Sequence, residues 1–342
     1  MRKALLLCLL NFFLLPALHS QEAPAPAGAP RSVRFLPRAE ARTALTTGAE
    51  RGYYARLQLA EMRAKTGLPL QNVTLETARE QVREAYGAEV EDFTADEQAA
   101  LREAAAGLQS VLRANAPLYA RTPWSFIKVS AKIEGGLPHT RGDHIVLSDT
   151  VLTGIMRLHA RGPFTAPIGL WNLLVHEQTH VLQRRHGDLF AGFYTESLGF
   201  RHVVLAPAPQ WLLERGVVNP DAPDADWILP IGDGAARRWI LPYVLLTNLD
   251  HPRMPDDFDI VALDLEEHAG SWTFADRSMP AAFHELESLP EYARAFPDQD
   301  EVFHPNEISA GLLAAIISGS KITHPEHALW SKTRAFADRA LR

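Results

Sequence analysis

The sequence predicts an α+β fold, and three observations predict it. Residues 39–113 carry a mostly helical apolar spacing; Ser125 to Glu134, SFIKVSAKIE, alternates apolar and polar residues; and Leu170 to His186 keeps a helical pattern with no breaker. Helices, a small antiparallel sheet, a central helix, mixed segments and C-terminal helices follow one another as blocks, the order of an α+β chain and not of alternating βα units. With 342 residues, 46% of them hydrophobic, the chain is long enough to bury a sizeable core.

The first 20 residues read as a secretory signal peptide: Arg2 and Lys3, an apolar run from Ala4 to Leu18, then a small-residue cleavage site at Ser20. Pro16 cuts the run short of a comfortable membrane span, so no span is expected after cleavage, and the sole cysteine, Cys8, leaves with the segment. The protein is therefore expected to be exported, to a periplasm or beyond. Mass spectrometry of the protein from its native host should find a mature chain starting near Gln21; an intact Met1 would refute this. Residues 21–38, rich in Ala and Pro, read as a linker.

A helical region is expected over 39–120, with Leu57, Leu59, Met62, Leu75, Val82, Leu101, Leu108 and Leu112 on amphipathic faces. The second domain is expected over 121–342. In it Ile127, Val129, Ala131 and Ile133 alternate with Lys128, Ser130, Lys132 and Glu134, the period of a half-buried strand, and HIVLSD (144–149) follows a Gly- and Pro-bearing turn, which predicts a hairpin or short meander. Pro167 near its start and Gly187 just past its end bound the central helix. WILPI and RWILPYVLL are candidate strands. Pro305 suits the first turn of a last helix striped by Ile308, Leu312, Leu313, Ile316 and Ile317.

Net charge narrows the partners. A formal charge of -7, with no basic run, provides no footprint for nucleic acid, and no glycine-rich cradle for nucleotide phosphates is present.

The chemistry is concentrated in VHEQTH. His176 and His180 stand four apart, so on a helix both imidazoles leave one face and can meet a single zinc ion. Glu177 projects from the neighbouring flank, where it can take a proton from the attacking water without being a ligand. A catalytic zinc needs a third protein ligand. His186 reproduces the H-E-x-x-H-x-x-x-x-x-H spacing of the metzincin peptidases, but those turn sharply at a glycine after the second histidine, where this chain has Gln183, Arg184 and Arg185. A continuing helix carries His186 about 9 Å along the axis from His180, too far for one ion. Two downstream carboxylates are open candidates: Glu196, on a plausible helix in FAGFYTESLGF, and Glu307, at the helix start in FHPNEISAGLL beside His304.

The pair formed by VHEQTH and a later Asn306-Glu307 at a helix start resembles the gluzincin metallopeptidases, the thermolysin-like superfamily of zincin fold. The resemblance covers the two motifs and the strand pair before them. It implies a zincin-like domain over 121–342 with one Zn2+ per chain held by His176, His180 and Glu307, Glu177 as general base and acid, and a peptide or protein substrate. Ile308, Ser309, Ala310 and Gly311 replace the Ser-Asp that follows in thermolysin-like proteins, so a carboxylate supporting a ligand histidine is expected from Asp298 or Asp300. His304 and Tyr194 are candidate oxyanion donors by type. HIVLSD is the candidate edge strand on which an extended peptide could pair. The rival expectations are a zinc-binding protein of this fold without turnover, and an envelope interaction module whose H-E-x-x-H is accidental.

Overall fold

The computed structural model describes residues 33–48, 50–160, 168–222, 226–280, 282–297 and 303–342. The expected signal peptide (1–20), most of the expected linker, Pro167, Asp298 and Asp300 lie outside them. The chain is α+β. Its elements run β1 Val33–Phe35, α1 Arg38–Thr46, α2 Glu50–Arg56, α3 Leu59–Thr66, α4 Leu75–Ala88, β2 Val90–Glu91, α5 Ala95–Asn115, α6 Pro117–Arg121, β3 Trp124–Val129, β4 His139–Arg141, β5 His144–Ser148 and α7 Asp149–His159. Then follow α8 Ile168–Arg185, α9 Gly187–Glu196, β6 Arg201–His202, α10 Gln210–Arg215, β7 Trp227–Ile231, β8 Arg238–Leu246, β9 Phe258–His268, β10 Ser271–Phe274, β11 His284–Glu285, α11 Pro290–Ala295, α12 Pro305–Ser318 and α13 Ala328–Ala340. No helix of the described residues is long and apolar enough to cross a membrane.

Local chemistry sets several helix starts. Thr94 caps α5 by accepting from the Glu97 backbone N–H at 3.2 Å, while the Glu97 carboxylate accepts from the Thr94 N–H at 2.8 Å. Pro305 fits the first turn of α12, whose His304 Nδ1 accepts from the Asn306 N–H, and Gly319 closes that helix in the left-handed conformation.

The first sheet has the order β1-β3-β5-β4, with β2 added beside β3. Here the structure corrects the expected hairpin: β3 and β5 pair in parallel, and the antiparallel hairpin is β4–β5. The cause lies after Val129, where Glu134, Gly135 and Gly136 take φ of 50°, 60° and 74° and turn the chain away before it can double back on β3. A Cβ on Gly135 would stand 2.9 Å from the Met254 carbonyl oxygen, so that turn needs its glycine.

The strand expected to be half-buried is buried on both faces. Trp124, Phe126, Ile145 and Leu147 face the core built with α5, α8 and α12, while Ile127, Val129 and Val146 face a second core with Leu45, Tyr54, Val82 and Tyr86 of the N-terminal helices. Lys128 tolerates this position because its ammonium reaches Glu97 at 3.0 Å and Glu91 at 3.3 Å. The helical region 39–120 thus shares its core with the sheet, and two strands outside the expected ones, β1 and β2, pair with β3. Val33–Phe35 falls in the span read as linker; Phe35 is held there by stacking on Phe126, ring centroids 5.6 Å apart.

WILPI and RWILPYVLL form β7 and β8 as expected. They belong to a second, antiparallel sheet of order β10-β9-β8-β7-β6, with β11 on β9. In its longest strand, β9, Val261, Leu263 and Leu265 face one core, while the opposite face packs Ala262 on the other core and then carries Asp264 and the exposed Glu266.

α12 lies against α8 and is buried along almost its whole length, with Leu312 and Leu313 fully enclosed. Leu312→Ala should cost about 2–5 kcal/mol of stability through the cavity it leaves. Denaturant unfolding of the zinc-free protein checks this, and a loss below about 1 kcal/mol would mean that the contact between the two helices is looser than drawn.

Candidate metal centre

The two histidines leave α8 from one face, one turn apart, as their spacing requires. Their rings stand edge to face with centroids 4.8 Å apart, and the two Nε2 atoms are 3.0 Å from each other. Glu307, in the first turn of α12, places Oε2 at 3.2 Å from His176 Nε2 and 3.3 Å from His180 Nε2. A tetrahedral ion with bonds of about 2.1 Å separates its ligand atoms by about 3.4 Å, so a triangle of this size fits three corners and leaves the fourth open. Among the described residues, these three side chains form the group whose ligand atoms all lie within 4.8 Å of one another. Two imidazole lone pairs and a carboxylate converging this closely repel unless a cation or a proton lies between them. Two imidazoles and one carboxylate are a donor set of the kind that can hold zinc.

Burial sharpens the electrostatics. The His176 side chain is 14% exposed, Glu307 7% and His180 1%, so the centre opens to solvent on the His176 side. Burial alone would raise the Glu307 carboxyl, but His180 and His176 hold it well below the usual carboxylate range. Burial likewise opposes charge on His180, while Glu307 and Asp221 lift that imidazole to about 9. A positive charge is thus favoured where the three side chains meet. Glu177, 3% exposed, goes the other way: burial, then the nearby Asp221, pushes its carboxyl well above its ordinary value. Its Oε2 accepts from the Thr140 hydroxyl at 3.1 Å, which fixes its direction.

The ligands are braced from behind. His180 Nδ1 lies 2.8 Å from the Gln183 side-chain oxygen, which accepts from a protonated Nδ1 and leaves Nε2 facing the cluster. The same Gln183 amide donates to the Asn306 carbonyl at 2.9 Å and to Ser309 Oγ at 2.8 Å, tying α8 to the turn that carries Glu307. Glu307 Oε1 accepts from Asn219 Nδ2 at 2.6 Å. The partner of His180 is thus an amide one turn along the same helix; Asp298 and Asp300, the carboxylates expected in this role, lie outside the described residues.

Other expected residues stand elsewhere. His186 is exposed just past the end of α8, and Glu196 is 70% exposed with Arg339 at 3.7 Å. Tyr194 is a core residue, edge to face with Trp227, and its hydroxyl bonds to Ser309. His304 uses Nδ1 to cap α12. The edge strand next to α8 is β4, since β5 (HIVLSD) is flanked by β3 and β4. At Thr140 of β4 the N–H donates to Asp221 Oδ1 at 2.6 Å and the carbonyl accepts from Arg184 Nη2 at 2.9 Å.

Sequence reasoning missed Gln183, Asn219, Asp221 and Thr140. Gln183 was findable, because position i+3 from a helical histidine lies on its face. The other three are brought in by folding alone.

No protein-family model matches the chain, and no curated protein and no solved structure matches it.

Proposed function

We propose that this protein is an exported zinc-dependent hydrolase whose substrate is a peptide bond, with His176, His180 and Glu307 as ligands of one Zn2+. One observation carries the metal: three donor atoms 3.0–3.3 Å apart where the middle of α8 meets the first turn of α12. The gluzincin-like motif pair supports the peptide bond as substrate.

Zinc held there supplies the Lewis acidity that polarises a scissile carbonyl and lowers the pKa of water. The protein's own part is proton handling and orientation. Glu177 takes the proton of the attacking water at its carboxylate and delivers it to the leaving amine. Its burial makes it a stronger base than an exposed glutamate, and the Thr140 hydroxyl keeps one of its oxygens occupied so that the other is the one presented. Gln183 and Asn219 hold two of the three ligands in place.

One observation favours a second reading, a zinc protein without peptidase turnover: the N–H and carbonyl of Thr140, where an extended substrate would pair with β4, are taken by Asp221 and Arg184. The same experiment separates both readings from an accidental motif. The purified mature protein should hold about one equivalent of zinc, and stripping it with a chelator should abolish cleavage of a mixed peptide library, with activity restored by added zinc. Zinc without cleavage supports the second reading; neither zinc nor cleavage removes both.

A further inference from the structure

We infer that Asn219 is a positioning residue for the metal centre, and that the buried Glu61–Lys65 pair of α3 sets Asn219 in place, so that the N-terminal helical region is part of the site. This rests on the zinc reading above and adds to it residues of α3 that lie more than 150 positions before Asn219 in sequence.

The segment Val217–Asp221 runs from the second sheet to the metal centre, and hydrogen bonds hold it at Val217, Val218, Pro220 and Asp221. The Val217 N–H donates to the Val244 carbonyl of β8 at 3.0 Å. The Val218 N–H donates to Glu61 Oε1 at 2.6 Å, and the Val218 carbonyl accepts from Lys65 Nζ at 2.6 Å. Glu61 and Lys65 stand one helical turn apart, 3.1 Å from each other, with both side chains 0% exposed. A buried ion pair is weak evidence of net stabilisation, since desolvation offsets the attraction, but it enforces one geometry on whatever it binds. Here that is both main-chain groups of one residue. Lys65 is itself held from the far side by Glu134 at 3.3 Å.

The next residue is Asn219. Its Oδ1 accepts from the Asp221 N–H at 2.9 Å and its Nδ2 donates to Glu307 Oε1 at 2.6 Å. A backbone N–H needs an acceptor and a carboxylate needs a donor, so the amide has only one workable orientation. Arg184 on the Pro220 carbonyl at 2.8 Å and Asn306 on the Asp221 carbonyl at 2.9 Å close the segment against α8 and α12. Glu307 therefore reaches the histidines with one oxygen while the other is fixed by the side chain of Asn219, the residue next to the Val218 that α3 clamps.

The test measures zinc affinity by competition with a chromogenic chelator, together with the melting temperature of the full mature chain with and without zinc. Asn219→Leu keeps the size and removes the donor, and should weaken zinc binding about 10–100-fold and shrink the zinc-induced rise in melting temperature. The double variant Glu61→Met/Lys65→Met removes both charges together. It should weaken zinc binding in the parent and add little in the Asn219→Leu background, because both act through one contact. If that double variant does not fold, Glu61→Gln, which leaves Lys65 in place, is read in the same way for a smaller loss. A purely structural role would lower the melting temperature of the zinc-free protein while leaving the zinc affinity unchanged, and that outcome overturns the inference. So does an additive loss when the pair variant and Asn219→Leu are combined. A parent protein that takes up no zinc would instead overturn the metal reading itself.

Discussion

Glu177→Gln is expected to hold about one equivalent of zinc and to lose hydrolysis by about 10²–10⁴-fold, the usual contribution of a positioned general base. Glutamine has nearly the same shape, and its side-chain oxygen can still accept from the Thr140 hydroxyl, so the cleft should keep its form. What disappears is the proton acceptor, and with it the route from water to leaving group. Since Glu177 lies outside the cluster of three donors, zinc content should not follow activity down. Steady-state kinetics and metal analysis on the same preparation check both halves. Parent-like turnover would remove Glu177 from the chemistry, and loss of zinc together with activity would instead make it a ligand.

Glu307→Ala is expected to produce the largest loss of zinc affinity among the carboxylate variants, more than the about 10–100-fold typical of losing a hydrogen-bond partner of a ligand. The alanine leaves two histidines on one helix, short of the three protein ligands of a catalytic zinc site. It also leaves the Asn219 amide without its acceptor. Glu196→Ala and His186→Ala should bind zinc like the parent, because Glu196 is 70% exposed and His186 lies on the surface past the end of α8. Equilibrium competition on the three variants decides the assignment, which fails if Glu307→Ala retains parent affinity or if His186→Ala is the variant that loses it.

The effect of Glu307 also shows why only part of the site was legible in the sequence. His176, Glu177 and His180 could be placed relative to one another because helical geometry relates residues four apart without reference to the rest of the molecule. The same geometry relates Gln183, one turn further on, to His180. Glu307 is different in kind. It is 127 positions beyond His180, and spacing left it level with Glu196; only the Asn-Glu motif, read through a resemblance, favoured it. Asn219 and Asp221 had no motif, since what makes them matter is the place to which the second sheet and α3 deliver their backbone.

The sequence by itself determined the α+β character, the helical periods and the one-face placement of both histidines, because each depends on composition or on residues within a turn or two. Tertiary structure decided the parallel pairing of β3 with β5, the second buried face of that pair, the identity of β4 as the edge strand next to α8 and the meeting of Glu307 with the histidines. Strand partners and ligand partners are chosen by what else competes for the same backbone edge and the same buried volume. That competition is settled only when the three positive-φ residues at Glu134–Gly136 turn the chain and the N-terminal helices close over Ile127, Val129 and Val146.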